Sequence, residues 1–137
     1  MNVFVMDTSV AMAWCFEDEA TESTDAVLDR LRGDEAAVPA IWPLEVANVL
    51  LVAERRDRIS EAQVSRFLEL LTQLPIEVDD VPLDLAGIVA AGRRHELSSY
   101  DASYLVLAER LGAPLATLDR RLAKAADRAG VELLVGV

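Results

Sequence analysis

The stretch Asn2-Val3-Phe4-Val5-Met6-Asp7-Thr8-Ser9 decides how this chain is read. Asn2 to Met6 is a short run without polar alternation, the pattern of a strand covered on both faces. Strands of that kind belong to parallel sheets clad by helices. Asp7 ends the run at once. A carboxylate at the mouth of a buried strand loses hydration and is costly unless something compensates it. The start of the chain therefore predicts both an α/β sheet and a charged site at its edge.

Working outward, apolar periodicity predicts a short helix over 10–16 and a second over 20–32, stopped by Gly33. Residues 36–39 read as a strand. Pro43 suits a first helical position and opens a helix over about 44–56 that is apolar nearly all round, so it is central or lies at an interface. Ser60 with Gln63 forms a capping-box pair, starting a helix that reaches Leu74 with Val64, Phe67, Leu68 and Leu71 on one stripe. Pro75 breaks it before a strand at 76–78. Helices over 83–95 and 99–111 follow, the second ended by Gly112. A strand at 114–117, a helix over 120–129 and a strand at 132–135 complete the chain. Strands separated by helices predict a three-layer α/β/α sandwich on a mainly parallel sheet of roughly five strands.

The chain has 137 residues, 53% apolar and 27% charged, which suits a single domain over 1–137 with a real core rather than a disordered segment. No apolar run is long enough to span a membrane. The first strand lacks a basic leader and meets Asp7 directly, so a cytoplasmic location is expected. Cys15 and His95 are the only cysteine and histidine, which excludes an intrachain disulfide and a Cys/His zinc site. Cys15 lies in an apolar stretch and reads as a packed thiol. His95 follows Arg93-Arg94 and reads as a surface group at a negative helix end.

The net charge of −11 argues against tight nonspecific binding of nucleic acid by the whole surface. Positive charge is local, in Arg55-Arg56-x-Arg58, Arg93-Arg94 and Arg120-Arg121 with Lys124 and Arg128. Arginine supplies nearly all of it. That suits bidentate phosphate contacts, and genome composition produces the same bias, so both explanations stay open.

Ligands of open parallel sheets bind beyond the carboxyl ends of the strands. Asp7 follows the first strand. Glu45 lies in the first turn of the helix leaving the second, and Asp119 lies just past the strand at 114–117. Asp101 joins them by chain direction: its helix descends to Gly112 and turns into that strand, so the helix N-terminus stands at the strand's carboxyl end. Each acid has a simpler explanation taken singly. Glu45 and Asp101 suit a helix dipole, Ser98-x-x-Asp101 resembles a capping box, and Asp119 suits an N-cap. Jointly, they favour one shared acidic pocket. An all-oxygen set selects Mg2+ or Mn2+, and such ions activate water and stabilise the leaving oxygen of a phosphodiester.

Placed in order, Val5-Met6-Asp7-Thr8-Ser9, Pro43-Leu44-Glu45-Val46-Ala47-Asn48, Ser99-Tyr100-Asp101-Ala102-Ser103-Tyr104 and Thr117-Leu118-Asp119 resemble the PIN-domain nucleases, in particular the VapC toxins. The resemblance covers nearly the whole chain. It implies a Mg2+-dependent endoribonuclease, with Mn2+ a possible substitute, that hydrolyses RNA through metal-activated water. Asp7, Glu45, Asp101 and Asp119 match the catalytic quartet. Asp7 and Asp101 are expected as the principal metal ligands, with Glu45 and Asp119 binding directly or through water. Ser9 and Thr117 match hydroxyl positions that orient carboxylates. Tyr100, Asn48 and Tyr104 are expected to pack and hydrogen-bond locally. A homodimer and a cognate VapB-like antitoxin are implied, with any DNA binding left to the antitoxin.

Three rivals remain. A phospho-receiver domain would want an acidic pair after the first strand and a lysine ending its last, where this chain has Thr8-Ser9 and a helical Lys124. A noncatalytic PIN-fold binding module would be marked by a missing acid, and none is missing. A PIN nuclease without an antitoxin differs only in its neighbouring gene.

Overall fold

The computed structural model describes residues 2–134. Strand β1 (Val3–Met6) leads into helix α1 (Thr8–Cys15), a 3-10 turn (Glu17–Glu19) and α2 (Glu22–Arg30). Then come β2 (Glu35–Val38), α3 (Trp42–Arg55), α4 (Glu61–Gln73), β3 (Ile76–Val78), α5 (Leu85–His95), α6 (Ser99–Leu111), β4 (Leu115–Ala116) and α7 (Arg120–Arg128). The strands lie in the order β3-β2-β1-β4, and all pair in parallel. Helices on both faces cover the sheet, as the strand composition requires: Phe4, Val5 and Met6 are at most 1% exposed.

The core runs from these strands into Val10 and Met12 of α1, Val46 and Leu50 of α3, Tyr104 and Leu105 of α6 and Leu122 of α7. The chain winds outward from β1 in both directions, through β2 to β3 and across to β4. The β1–β4 border is therefore the switch point of the sheet, where ligands of α/β folds bind. Two backbone bonds tie that border together, from Val5 N–H to Pro114 O (2.8 Å) and from Asp7 N–H to Ala116 O (3.1 Å).

Local signals account for most helix limits. Ser60 accepts Gln63 N–H (3.2 Å) while the Gln63 amide oxygen accepts Ser60 N–H (2.8 Å), so the expected capping box is present. Ser60→Ala should remove about 1 kcal/mol of stability, read as a fall of about 3 °C in Tm. Thr21 and Thr24 cap α2 in the same reciprocal way, which starts that helix two residues later than its periodicity suggests. Gly112 ends α6 with φ 60°, and Ala113 N–H returns to Ala108 O (3.0 Å). This left-handed cap reverses the chain and sends it up β4.

One expectation needs correction. The sheet has four strands rather than five: in place of a strand at 132–135 there is an isolated Leu115–Leu133 bridge, and Val135 lies outside the described residues. With β4 only two residues long, it offers a fifth segment little ladder to pair with. Helix α3, apolar nearly all round, is buried on one face only. Trp42, Val46, Leu50 and Ala53 face the core, whereas Leu44 is 68% and Leu51 47% exposed.

Candidate active site

Asp7 occupies the N-cap position of α1 but makes no capping hydrogen bond with its side chain. Its carboxylate turns instead to two hydroxyls. Ser9 Oγ donates to Oδ1 (2.5 Å), and Thr117 Oγ1 donates to Oδ2 (2.5 Å). Each hydroxyl in turn accepts a backbone N–H, Ser9 from Leu118 (3.0 Å) and Thr117 from Asp119 (3.0 Å). The loop leaving β4 thus aims both hydroxyl protons at Asp7. The arrangement holds the carboxylate from both sides, yet brings it no cation.

The other three acids reach the same pocket, a cavity of about 490 Å³ lined by Asp7, Glu45, Asp101 and Asp119 together with Thr8 and Tyr104. Glu45, in the first turn of α3, accepts from Thr8 Oγ1 (3.0 Å) and from the Tyr104 phenol. Asp101 stands in the first turn of α6, where capping falls to Ser98, whose hydroxyl accepts the Asp101 N–H (3.1 Å). Asp119 does cap its helix, since Oδ1 accepts Leu122 N–H (2.8 Å). Capping and lining the pocket coexist there, because a carboxylate has a second oxygen to offer.

The electrostatics record the crowding. Burial pushes Asp7 up to about 6, and the Asp101 charge adds to it, against the opposing effect of the Ser9 and Thr117 hydrogen bonds. Burial also raises Asp101, followed by repulsion from Asp119 and Glu45. Tyr104 is raised by burial and then by the adjacent Glu45. A buried carboxylate pushed this far is a group whose ionised form wants a positive partner.

Hard oxygen donors suit Mg2+ or Mn2+, whose coordination includes retained waters. The four carboxylates line one pocket without closing into a cage: among the described residues no three Asp, Glu, His or Cys side chains already stand at metal-holding distance from one another. The donor chemistry fits a hydrated hard cation. It does not fit a zinc site, since Cys15 lines a neighbouring pocket and His95 another between α5 and α6. Burial raises the Cys15 thiol, and the His95 Nδ1 is buried without a hydrogen-bond partner.

Sequence reasoning underrated two residues here. Tyr104 was expected to bond locally, but its partners Glu45 and Thr8 lie on α3 and α1. Its spacing of three from Asp101 on one helix was the available signal. Arg58 stands at the rim with its guanidinium 3.9 Å from the Phe16 ring centre, paired with Asp18 and Glu19. A larger cavity of about 720 Å³ opens beyond Phe16 and Arg58, but its acids, Glu17 and Asp18, are solvent-exposed, so the chemistry stays with the smaller one.

This sheet order and this carboxylate pocket define a class of α/β fold, and similarity to known proteins identifies it. The chain belongs to the PIN domain family, whose model matches residues 4–128. Within the family its likeness is to VapC proteins. It is 31% identical over 122 residues to Ribonuclease VapC3 of Pyrobaculum aerophilum, covering 88% of this chain and 92% of that one. The crystal structure of PAE2754 from P. aerophilum matches with a TM-score of 0.73 at 24% identity, over 97% of this chain and 91% of that one. VapBC2 from Rickettsia felis, solved bound to a DNA fragment from their promoter, matches with a TM-score of 0.63 at 14% identity, over 96% of each chain. No helix among the described residues is long and apolar enough to cross a membrane.

Proposed function

We propose that this chain is the toxin of a VapBC-type pair, a cytoplasmic Mg2+-dependent endoribonuclease that hydrolyses RNA phosphodiester bonds. The observation that carries this reading is the pocket at the β1–β4 border, where Glu45, Asp101 and Asp119 line one cavity with the buried Asp7, which has hydrogen-bond donors but no paired cation. The VapC relationship supports RNA as the substrate, and the VapBC2 complex supports an antitoxin partner.

Asp7 and Asp101 would hold the ion, with Glu45 and Asp119 binding it directly or through water. When bound, Mg2+ would make a water easier to deprotonate for attack on phosphorus and would supply positive charge for the leaving oxygen. The chain's own work is positional. Ser9 and Thr117 fix Asp7 through hydroxyls already oriented by the Leu118 and Asp119 amides. Such supporting hydrogen bonds hold a ligand's geometry before the ion arrives. The acidity of the pocket also explains how a chain of net charge −11 acts on a polyanion, since a bound cation inverts the local sign. A homodimer, with the exposed Leu44 and Leu51 of α3 available for apolar contact, completes the proposed assembly.

The test is cleavage of total RNA by the purified, antitoxin-free chain. Cleavage is expected with Mg2+ or Mn2+, and none with EDTA or with Asp101→Asn. Undiminished cleavage in EDTA would contradict metal catalysis.

A further inference from the structure

Tyr104 is the largest fully buried side chain of the molecule, 1% exposed, yet its phenol does not end in the core. It emerges at the pocket wall and donates to Glu45 Oε1. Thr8 Oγ1 meets the same oxygen at 3.0 Å and the Tyr104 hydroxyl at 3.0 Å, so three oxygens from α1, α3 and α6 form a closed triangle. The two protons of that triangle suffice to saturate one oxygen of Glu45. The other oxygen stays available to the pocket. Thr8 follows Asp7 directly, so the triangle also ties the Glu45 carboxylate to the segment bearing Asp7.

We infer that Tyr104, with Thr8, is a positioning residue that locks the Glu45 carboxylate toward the bound cation. This inference rests on the proposed metal site. Its physical basis is the contrast between the two side chains. Glu45 is long and half-buried, with rotamer freedom to lose on binding an ion. Tyr104 is a rigid, buried ring with one hydrogen-bond proton at its tip. Bonding the mobile group to the immobile one moves that ordering cost from metal binding to folding.

Tyr104→Phe removes only the hydroxyl and keeps the ring. Mn2+ binding measured by calorimetry on the metal-free chain should weaken about tenfold, the usual size for a group that orients a metal ligand. With RNA, kcat should fall while KM holds, because the hydroxyl acts through its bonds to Glu45 and Thr8. In a Glu45→Gln background the same change should cost little more, since Tyr104 acts only through Glu45. Thr8→Val should weaken Mn2+ binding in the same direction, and it carries the test if Tyr104→Phe does not fold. Equal Mn2+ affinity in wild type and Tyr104→Phe overturns the positioning role and leaves the metal site standing. An undiminished loss in the Glu45→Gln background assigns Tyr104 to general packing and also overturns it. Wild type that takes up no Mn2+ overturns the metal site and this inference together.

Discussion

Asp7→Asn should lower RNA cleavage by more than about a hundredfold, beyond the range seen when a supporting residue is lost, while leaving the chain folded. The amide is nearly isosteric with the carboxylate, so the strand, the α1 N-terminus and the 5% exposure of the site are preserved. It cannot carry the charge that holds a hard cation. One of the two donors, Ser9 or Thr117, also loses its acceptor, because an amide presents one oxygen where both now have one each. That loss costs about 1–3 kcal/mol. It is offset by relief of the buried charge that burial opposes at neutral pH. Activity and stability should therefore separate: a large kinetic loss with a Tm near that of wild type. Parallel loss of fold, seen by circular dichroism, would mean that Asp7 is chiefly structural.

The second expected result concerns pH and metal together. Asp7 is held at about 6 in the fold, against an ordinary value of 3.8. The native state therefore prefers the protonated acid. Stability from this group is fully present below the unfolded value, declines between about pH 4 and pH 6, and is lost above, on the order of 3 kcal/mol in all. Other carboxylates titrate in the same range, so the clean observable is the difference between wild type and Asp7→Asn. In the absence of metal, wild type should lose most of that relative to the variant on going from pH 4 to pH 7.5. Saturating Mg2+ should then restore it. At a hundred times its dissociation constant, a ligand of the native state adds about 2.7 kcal/mol, or about 8 °C in Tm for a chain of this size. At pH 4.5, where Asp7 is protonated, Mg2+ should shift Tm little. An equal Mg2+ shift at both pH values, or in Asp7→Asn, would place the ion elsewhere.

Much of this was legible from short-range signals. The unalternating run before Asp7 marked a covered strand, the Ser60–Gln63 pair marked the start of α4, and Gly112 marked the turn that reverses α6 into β4. That last turn was enough to put Asp101 on the same edge as Asp119, because chain direction follows from a cap. The fifth strand was misread because a short apolar run such as Leu133-Leu134-Val135 looks the same whether or not a neighbour is long enough to pair with it. Arg58 was read only as part of a cationic cluster for a related reason: its stacking on Phe16 joins positions 42 residues apart.

By itself, then, the sequence determined the alternation of strands and helices, the edge at which four acids collect, and the hard, all-oxygen character of their chemistry. These follow from periodicity, caps and residue type, which act over a few residues. Only the tertiary structure decided which hydroxyl serves which carboxylate. Ser9 and Thr117 converge on Asp7 because β1 and β4 are neighbours, and Thr8 and Tyr104 converge on Glu45 because α1, α3 and α6 pack together. Such bonds join residues up to 110 apart, and no local propensity encodes them. They exist because burying the apolar faces leaves these few polar groups no partners but one another.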